Sequence, residues 1–488
     1  MEIFFMRGII WFREDLRVVD NTALHHAAVR CKDGIAAVYF IDTEFLKKHD
    51  TAACRVEFVL RGLAILRDDL QKLHIPLVVL QIKNTSDTAA ELLKLLRQCK
   101  AEALFFNRQY EVNETARDAA VKKSMLNNDI EVYSYDDQVI LPPGSVRTQQ
   151  GNCFSVFTPY KRTWYKIFSE REIKQVSRPK VPIPLETKLA STPIPTSLSG
   201  FESHIDPSLW PAGEHFAKRN LQRFIEKNLF HYDKERDFPG LAGTSKLSPY
   251  LATGMISPRQ CFLAALDANQ NELDTGNKGA LTWMGELIWR EFYKHILVAA
   301  PRVSKHKAYK EETDNIIWEY DEKLFLAWQQ GQTGYPLIDA AMRQLNTTGW
   351  MHNRLRMVVA MFLTKNLFFD WRLGEKYFMS RLIDGDLAAN NGGWQWSAST
   401  GTDSAPYFRI FNPVRQSERF DPEGKFILHY CPELKDFDKK TIHEPHQKLP
   451  LIALQSQYPR PIIDLNQHRI KVLAAFKKIS AKPLFKKP

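Results

Sequence analysis

Two hydrophobic periods divide the chain. Short apolar runs at 8–12 (GIIWF), 35–41 (IAAVYFI), 75–82 (IPLVVLQI), 103–107 (ALFFN) and 130–135 (IEVYSY) alternate with helical stretches such as TSDTAAELLKLLRQC. Runs of that length, rich in β-branched and aromatic residues, suit buried strands. Their alternation with helices predicts an α/β doubly wound parallel sheet, a Rossmann-like N-terminal domain over 1–140. Such sheets bind ligands beyond the carboxyl ends of their strands, and the polar segment NRQYEVNE (107–114) follows the fourth one. Neither GxGxxG nor GxxxxGK[ST] occurs, which weakens a nicotinamide or P-loop reading. Asn113 and Glu114 read equally well as ligand contacts and as caps of the helix ETARDAAVKKSM.

The alternation stops near Pro142. SRPKVPIPLETKLASTPIPTSLSG (177–200) is rich in Pro, Ser and Thr and reads as a linker, placed within 141–212. Beyond it, apolar positions recur at helical spacing through LTWMGELIWREFYKHIL and GWMHNRLRMVVAMFL, so 213–488 is expected to be an all-α domain. In GTSKLSPYLATGMISPRQCFLAAL, Ser248-Pro249 and Ser257-Pro258 each place an N-cap beside an N1 proline, and Gly254 sits where a helix should stop. A helix start flanked by Thr244, Ser245 and Ser248 suits a diphosphate, although ordinary capping uses the same residues.

Composition narrows the partners. Lys plus Arg number 67 against 56 Asp plus Glu, a net charge of +11 that favours a polyanion such as nucleic acid. The six cysteines form no CxxC pair, so neither a zinc site nor a disulfide framework is indicated, and a reducing cytoplasm fits best. MEIFFMRGIIWFREDLR breaks its apolar run at Arg7 and soon turns acidic, unlike a signal or transit peptide. No stretch approaches a membrane span, so no membrane partner is expected. The last 20 residues carry seven Lys or Arg and no acid, as a solvated end or a nucleic-acid tail would.

Eight of the eleven tryptophans follow residue 280, and core packing accounts for any one of them. NNGGWQWSASTGTD (390–403) is different. Paired glycines allow a flat ligand close to the backbone, and two indoles one residue apart on a helix must serve different neighbours.

ELIWREFY (286–293), TGYPLIDAAMRQLNTTGWMHNRLRM (333–357) and DGDLAANNGGWQWSASTGTDSAPYFRIFNP (384–413) resemble the flavin domain of the photolyase and cryptochrome family. WFREDLRVVDNTAL and GTSKLSPYLATGMISPRQ extend the likeness over roughly residues 8 to 465, nearest to bacterial class I cyclobutane pyrimidine dimer photolyases with a folate antenna. The resemblance implies a monomer that binds single- or double-stranded UV-damaged DNA and splits the dimer by electron transfer from photoexcited, reduced anionic FAD. It assigns FAD to Tyr232, Thr244, Ser245, Lys246, Leu247, Ser248, Trp283, Arg356, Asp384 and Asp386, with Asn390 near the flavin N5. An amide at Asn390 can bond the reduced flavin in either orientation without adding charge.

For substrate, the likeness implies Trp289 and Trp396 as aromatic walls, Glu286 at the pyrimidine edge, and Asn353 and Met357 as further pocket positions. Arg236, Arg290, Arg354 and Gln416 are implied as DNA contacts, although from the sequence alone a surface ion pair with a nearby acid is the first reading of Arg236. Trp394, Trp371 and Trp318 match a three-indole relay that reduces oxidised flavin. Asn113, Glu114 and Lys305 match residues that hold methenyltetrahydrofolate; Ser304 departs from a cysteine in the pattern, leaving a deazaflavin or no antenna as competitors. Cryptochrome signalling and repair of (6-4) lesions are the rival functions. Asn390, where plant signalling relatives carry aspartate, and Met357, near which (6-4) enzymes use a histidine, argue against them. A redox flavoprotein for a small molecule would leave the basic balance and paired indoles unexplained.

Overall fold

In a computed structural model of the chain the described residues are 6–180, 183–185 and 189–480, with side chains described to 477. Parts of the leader, linker and basic-tail readings fall outside them. The chain divides into two compact units: the first runs to Phe230 and adds Ser245–Pro301 and Ile383–Asp386, and the second takes His231–Thr244, Arg302–Leu382 and the chain from Leu387.

The first unit holds five strands, β1 (Gly8–Phe12), β2 (Ile35–Asp42), β3 (Leu77–Ile82), β4 (Ala103–Asn107) and β5 (Glu131–Tyr135). All pair in parallel in the order β3-β2-β1-β4-β5, the doubly wound topology expected. Central β1 and β4 are buried along their whole length, while edge strand β5 is half-exposed. The helix Thr88–Cys99 buries Leu92, Leu95, Leu96 and Cys99 at i, i+3, i+4 and i+7, against a core that includes Ile9, Val38 and Leu104.

A buried charge group ties distant segments of this unit together. Arg17 meets Asp137 at 2.5 Å, and Arg259 meets Asp137 at 2.7 Å and Asp20 at 3.2 Å. Burial pushes the Asp137 carboxyl up, but Arg17 and Arg259 outweigh it and hold it well below the usual range. Ser257 caps the helix Pro258–Ala268, as expected, in a reciprocal box with Gln260, and also donates to Asp20. At the preceding turn the expectation needs correction. Ser248 is itself the first residue of the short helix Ser248–Ala252, and Leu247 caps it without a side-chain bond. Gly254 does take a left-handed φ of 68°, where a Cβ would stand 2.1 Å from the Glu14 carbonyl oxygen.

The second unit is helical. GWMHNRLRMVVAMFL is not one helix: Pro336–Thr348 ends at Gly349 in the left-handed region, and Asn353–Met361 starts afresh. His352 makes that start, its Nδ1 accepting from the Arg354 amide. Burial holds its imidazole down at about 4, in the neutral form an acceptor requires. These helices pack with Trp371–Met379 and Leu387–Ala398 around Leu337, Met342, Val358, Phe378 and Trp394. All six cysteines are free, five of them buried. Among the described residues no helix is long and apolar enough to cross a membrane, and no His, Cys, Asp and Glu group could hold a metal.

Candidate active site

The segment NNGGWQWSASTGTD begins within the helix Leu387–Ala398, which fixes where its side chains point. Two residues advance a helix by about 200°, so Trp394 and Trp396 diverge. Trp394 is buried and Trp396 half-buried. Asn390 donates its side-chain amide to the Glu375 carbonyl oxygen at 3.0 Å, and neighbouring Asn391 donates to the Glu375 carboxylate at 2.8 Å. The expectation that the Asn390 amide is free in orientation is therefore corrected. Its nitrogen is committed to the backbone, which leaves its oxygen to accept from a ligand N–H. A Cβ at exposed Gly393 would meet no protein atom within 4 Å, so that side of the helix is open.

Trp394 packs on Gly374, one turn beyond Trp371 in the next helix. A Cβ on Gly374 would stand 2.1 Å from the far edge of the indole. Trp371 is buried with the Arg372 guanidinium 4.7 Å from its ring centre. Half-buried Trp318 lies against Phe368 at 5.1 Å and Phe476 at 6.3 Å.

Also in this unit, Arg354 grips Asp237 with two bonds of 3.2 and 2.7 Å and lies over Phe420. Arg236 stands 3.8 Å from the same carboxylate, with its guanidinium over the Tyr232 ring. The ion pair foreseen for Arg236 thus exists, but Arg354 holds the better half of it. Exposed Asn353 opens its helix, the sulfur of half-buried Met357 lies 3.7 Å from Arg354, and half-buried Gln416 sits on the helix Pro413–Phe420. Arg356 donates to the Met351 carbonyl, and Lys305 is exposed in a short 3-10 turn, Val303–Lys305.

In the first unit, Lys246 takes a left-handed φ of 51° and Leu247 follows in the right-handed region. Successive residues of opposite hand turn their amides into one concavity, which fits an anion such as the diphosphate of FAD. The long helix Lys278–Ala299 carries Trp283, Glu286, Trp289, Arg290 and Lys294. Trp283 is buried against Phe224 at 4.9 Å. Trp289 stacks on Phe157 at 3.7 Å and 11°, so one face of the indole is backed and fixed. Arg290 spends donors on the carbonyls of Gln138 and Leu251. The next residue, buried Glu291, accepts from Trp164 and from the amides of Ile140 and Leu141, and burial raises its carboxyl to about 7. Lys294, fully buried, bonds Asp386 at 2.7 Å and lies 3.6 Å from Glu111; buried Asp384 is two residues from Asp386.

A cavity of about 780 Å³ opens beyond the carboxyl ends of β2 and β3, lined by Asp42, Lys48, His49, Thr85, Asn113 and Arg117, among others. Glu111 precedes the helix Val112–Leu126 and bonds nothing there as a cap, while Asn113 and Glu114 lie in its first turn. The capping reading of these two is corrected. Asn113 lines the cavity and bonds His49 at 2.9 Å, whereas Glu114 is buried. Burial, then the charge of Glu111, raises the Glu114 carboxyl to about 8.

Sequence reasoning passed over Asp237, Gly374, Glu375 and Lys294. Lys294 had a visible signal, because 283, 287, 291 and 294 form the buried stripe of their helix and two of them are charged. Glu375 and Asp237 act on partners distant in sequence, which no local pattern displays.

Residues 8–182 match the DNA photolyase family, and residues 283–478 match the FAD binding domain of DNA photolyase. Sheet and helical unit together thus define a flavin-dependent protein. The chain is similar to a deoxyribodipyrimidine photo-lyase of Salmonella typhimurium, 45% identical over 96% of this chain and 98% of that one. It is also similar to two solved structures. A bacterial class III photolyase from Agrobacterium tumefaciens gives a TM-score of 0.87, 32% identity, and coverage of 97% of this chain and 98% of that one. An archaeal photolyase from Sulfolobus tokodaii, described with two FAD molecules and as implying a novel light-harvesting cofactor, gives 0.78, 33%, and 97% and 100%. The chain belongs to the DNA photolyase family.

Proposed function

We propose that the chain acts as a deoxyribodipyrimidine photo-lyase, splitting cyclobutane pyrimidine dimers in UV-damaged DNA. The observation that carries this is the helix Leu387–Ala398, which presents an oriented amide at Asn390, a buried indole at Trp394 and a half-buried one at Trp396. The near-full-length likeness to the Salmonella enzyme supports the same reading. FAD, when bound, supplies the light-driven electron; the protein must hold, orient and insulate. Toward FAD, the first unit offers the opposed-hand turn at Lys246 and Leu247 with Ser245, Ser248, Trp283, Asp384 and Asp386. The second offers Tyr232, Thr244, Arg356 and Asn390. Lys294 aims Asp386 through their 2.7 Å ion pair.

Toward substrate, half-buried Trp289, held by its stack on Phe157, serves as a stacking wall, worth about 1–3 kcal/mol per base. Trp396 serves likewise, Glu286 bonds the pyrimidine edge, and Arg236, Arg354 and Gln416 approach the phosphates. A dimer already weakens pairing, so extruding it costs less than extruding an intact base. We keep 1–140 as an antenna domain, 141–212 as a connector and 213–488 as the catalytic domain, in a monomeric cytoplasmic protein. The antenna belongs with the cavity beyond β2 and β3. Asn113 and three cations, Lys47, Lys48 and Arg117, line it and suit a planar chromophore with an anionic tail, folate or deazaflavin.

Light-dependent reversal of an oligonucleotide bearing one defined lesion tests the function. Cyclobutane dimers should be reversed and (6-4) lesions left. Trp394→Phe should lose photoreduction yet repair once the flavin is reduced chemically, and Trp396→Ala should weaken lesion binding roughly tenfold to a hundredfold. Reversal of only (6-4) lesions would overturn the substrate, and identifying the chromophore released on denaturation decides the antenna.

A further inference from the structure

We propose that this chain has a second redox exit, through Trp328 to Tyr320, beside the one ending at Trp318; it rests on the relay reading of Trp394. The rings themselves form the path. Trp394 stands edge-on to Trp328 with centres 6.1 Å apart, Trp328 lies parallel to Phe325 at 5.8 Å, and Phe325 is 6.0 Å from Tyr320. Tyr320 also touches Phe369 at 5.8 Å. The file starts at buried Trp394, passes through fully buried Trp328 and ends at a phenol 60% exposed to solvent. It uses neither Trp371 nor Trp318. Trp318 and Tyr320 are two residues apart, on either side of Glu319, which bridges to Phe369.

Packing explains why Trp328 and Phe325 are aromatic. It does not explain why the file reaches water at an oxidisable ring. Trp394 yields one electron to the light-excited oxidised flavin and is refilled by one electron from Trp328. Trp328 is refilled in turn by Tyr320, with Phe325 bridging and itself unchanged. The phenol loses that electron from its ring and its hydroxyl proton to water, since a tyrosine cation is far too acidic to keep it. The proton loss traps the hole at the surface and blocks its return. A small thiol then gives Tyr320 one electron and one proton and leaves as a thiyl radical, which pairs into a disulfide.

The test uses the full chain with bound, oxidised FAD confirmed by absorbance, in the presence of a small thiol. Trp318→Phe, Tyr320→Phe and the double variant change half-buried or exposed residues, so the fold should survive; circular dichroism and FAD content check it. Trp318→Phe should keep photoreducing at a lower rate and show a neutral tyrosyl radical in time-resolved electron paramagnetic resonance. Trp318→Phe/Tyr320→Phe should lose both the photoreduction and the signal. Loss of photoreduction in Trp318→Phe alone, or a double variant as fast as that single one, would overturn the Tyr320 exit and leave the Trp318 relay standing. A wild type that binds FAD and is not photoreduced would overturn the relay and this proposal together.

Discussion

Asp237 neutralises the cations that would grip DNA, and removing its charge should tighten binding. In the second unit one carboxylate faces two guanidiniums, Arg354 in a two-bond grip and Arg236 at 3.8 Å, so the three groups carry a net charge of +1. Each neutralised duplex phosphate contributes about 0.9 to the slope of log affinity against log salt. Asp237→Asn raises the trio to +2 and should steepen the slope by about 0.9. Arg354→Ala lowers it to zero and should flatten the slope by about the same. The double variant, with Arg236 alone, returns to +1 and should resemble wild type. Over a fourfold rise in salt, each step is worth about 3.5-fold in affinity. Fluorescence anisotropy with a lesion-bearing duplex at several salt concentrations reads all four proteins. Asp237 also orients Arg354, so the intercepts will shift for geometric reasons; the slopes count charge and are the discriminating quantity. If Asp237→Asn leaves the slope unchanged while Arg354→Ala flattens it, the carboxylate is displaced on binding and the charge count is wrong. If neither moves it, this group does not touch phosphate.

Gly374→Ala brings two opposed effects: a helix-interior alanine gains about 1 kcal/mol over glycine, while a methyl 2.1 Å from the Trp394 ring costs about 1–3 kcal/mol in overpacking. Thermal unfolding should show a loss of about 0–2 kcal/mol with slower flavin photoreduction, and a more stable variant would mean that the indole does not rest there. Glu114 has a folded-state carboxyl raised from the ordinary glutamate range to about 8, chiefly by burial, so the folded chain holds a proton that the unfolded chain releases. Its contribution is fully present below the ordinary glutamate range and is lost as pH rises toward 8. Glu114→Gln should flatten the fall in stability across that window in denaturant titrations, and parallel curves for the two proteins would refute the assignment.

The sheet was legible because each strand is a short β-branched or aromatic run flanked by helical period, and five expected strands match to within two residues. The Ser257 cap and the Gly254 stop were legible because local backbone chemistry dictates them. The Ser248 cap failed because the left-handed turn at Lys246 shifts the helix start by one residue, and φ at a lysine leaves no trace in sequence. The divergent indoles of WQW followed from helical geometry alone. What sets the Asn390 amide was not legible, because Glu375 lies 15 residues away on another helix. Likewise Arg354 could be read as a cation, but not as one already held by Asp237.

The buried group of Arg17, Asp20, Asp137 and Arg259 also has a history in time. Two positive and two negative charges balance once all four are present, but Arg259 follows Asp137 by 122 residues. At about 5–20 residues per second, the ribosome leaves the sheet with two carboxylates and one guanidinium for roughly 6–24 s. A buried pair lacking one partner is penalised by about 3–5 kcal/mol. The five strands, complete by Tyr135, therefore gain this part of their stability only when Arg259, made long after them, arrives.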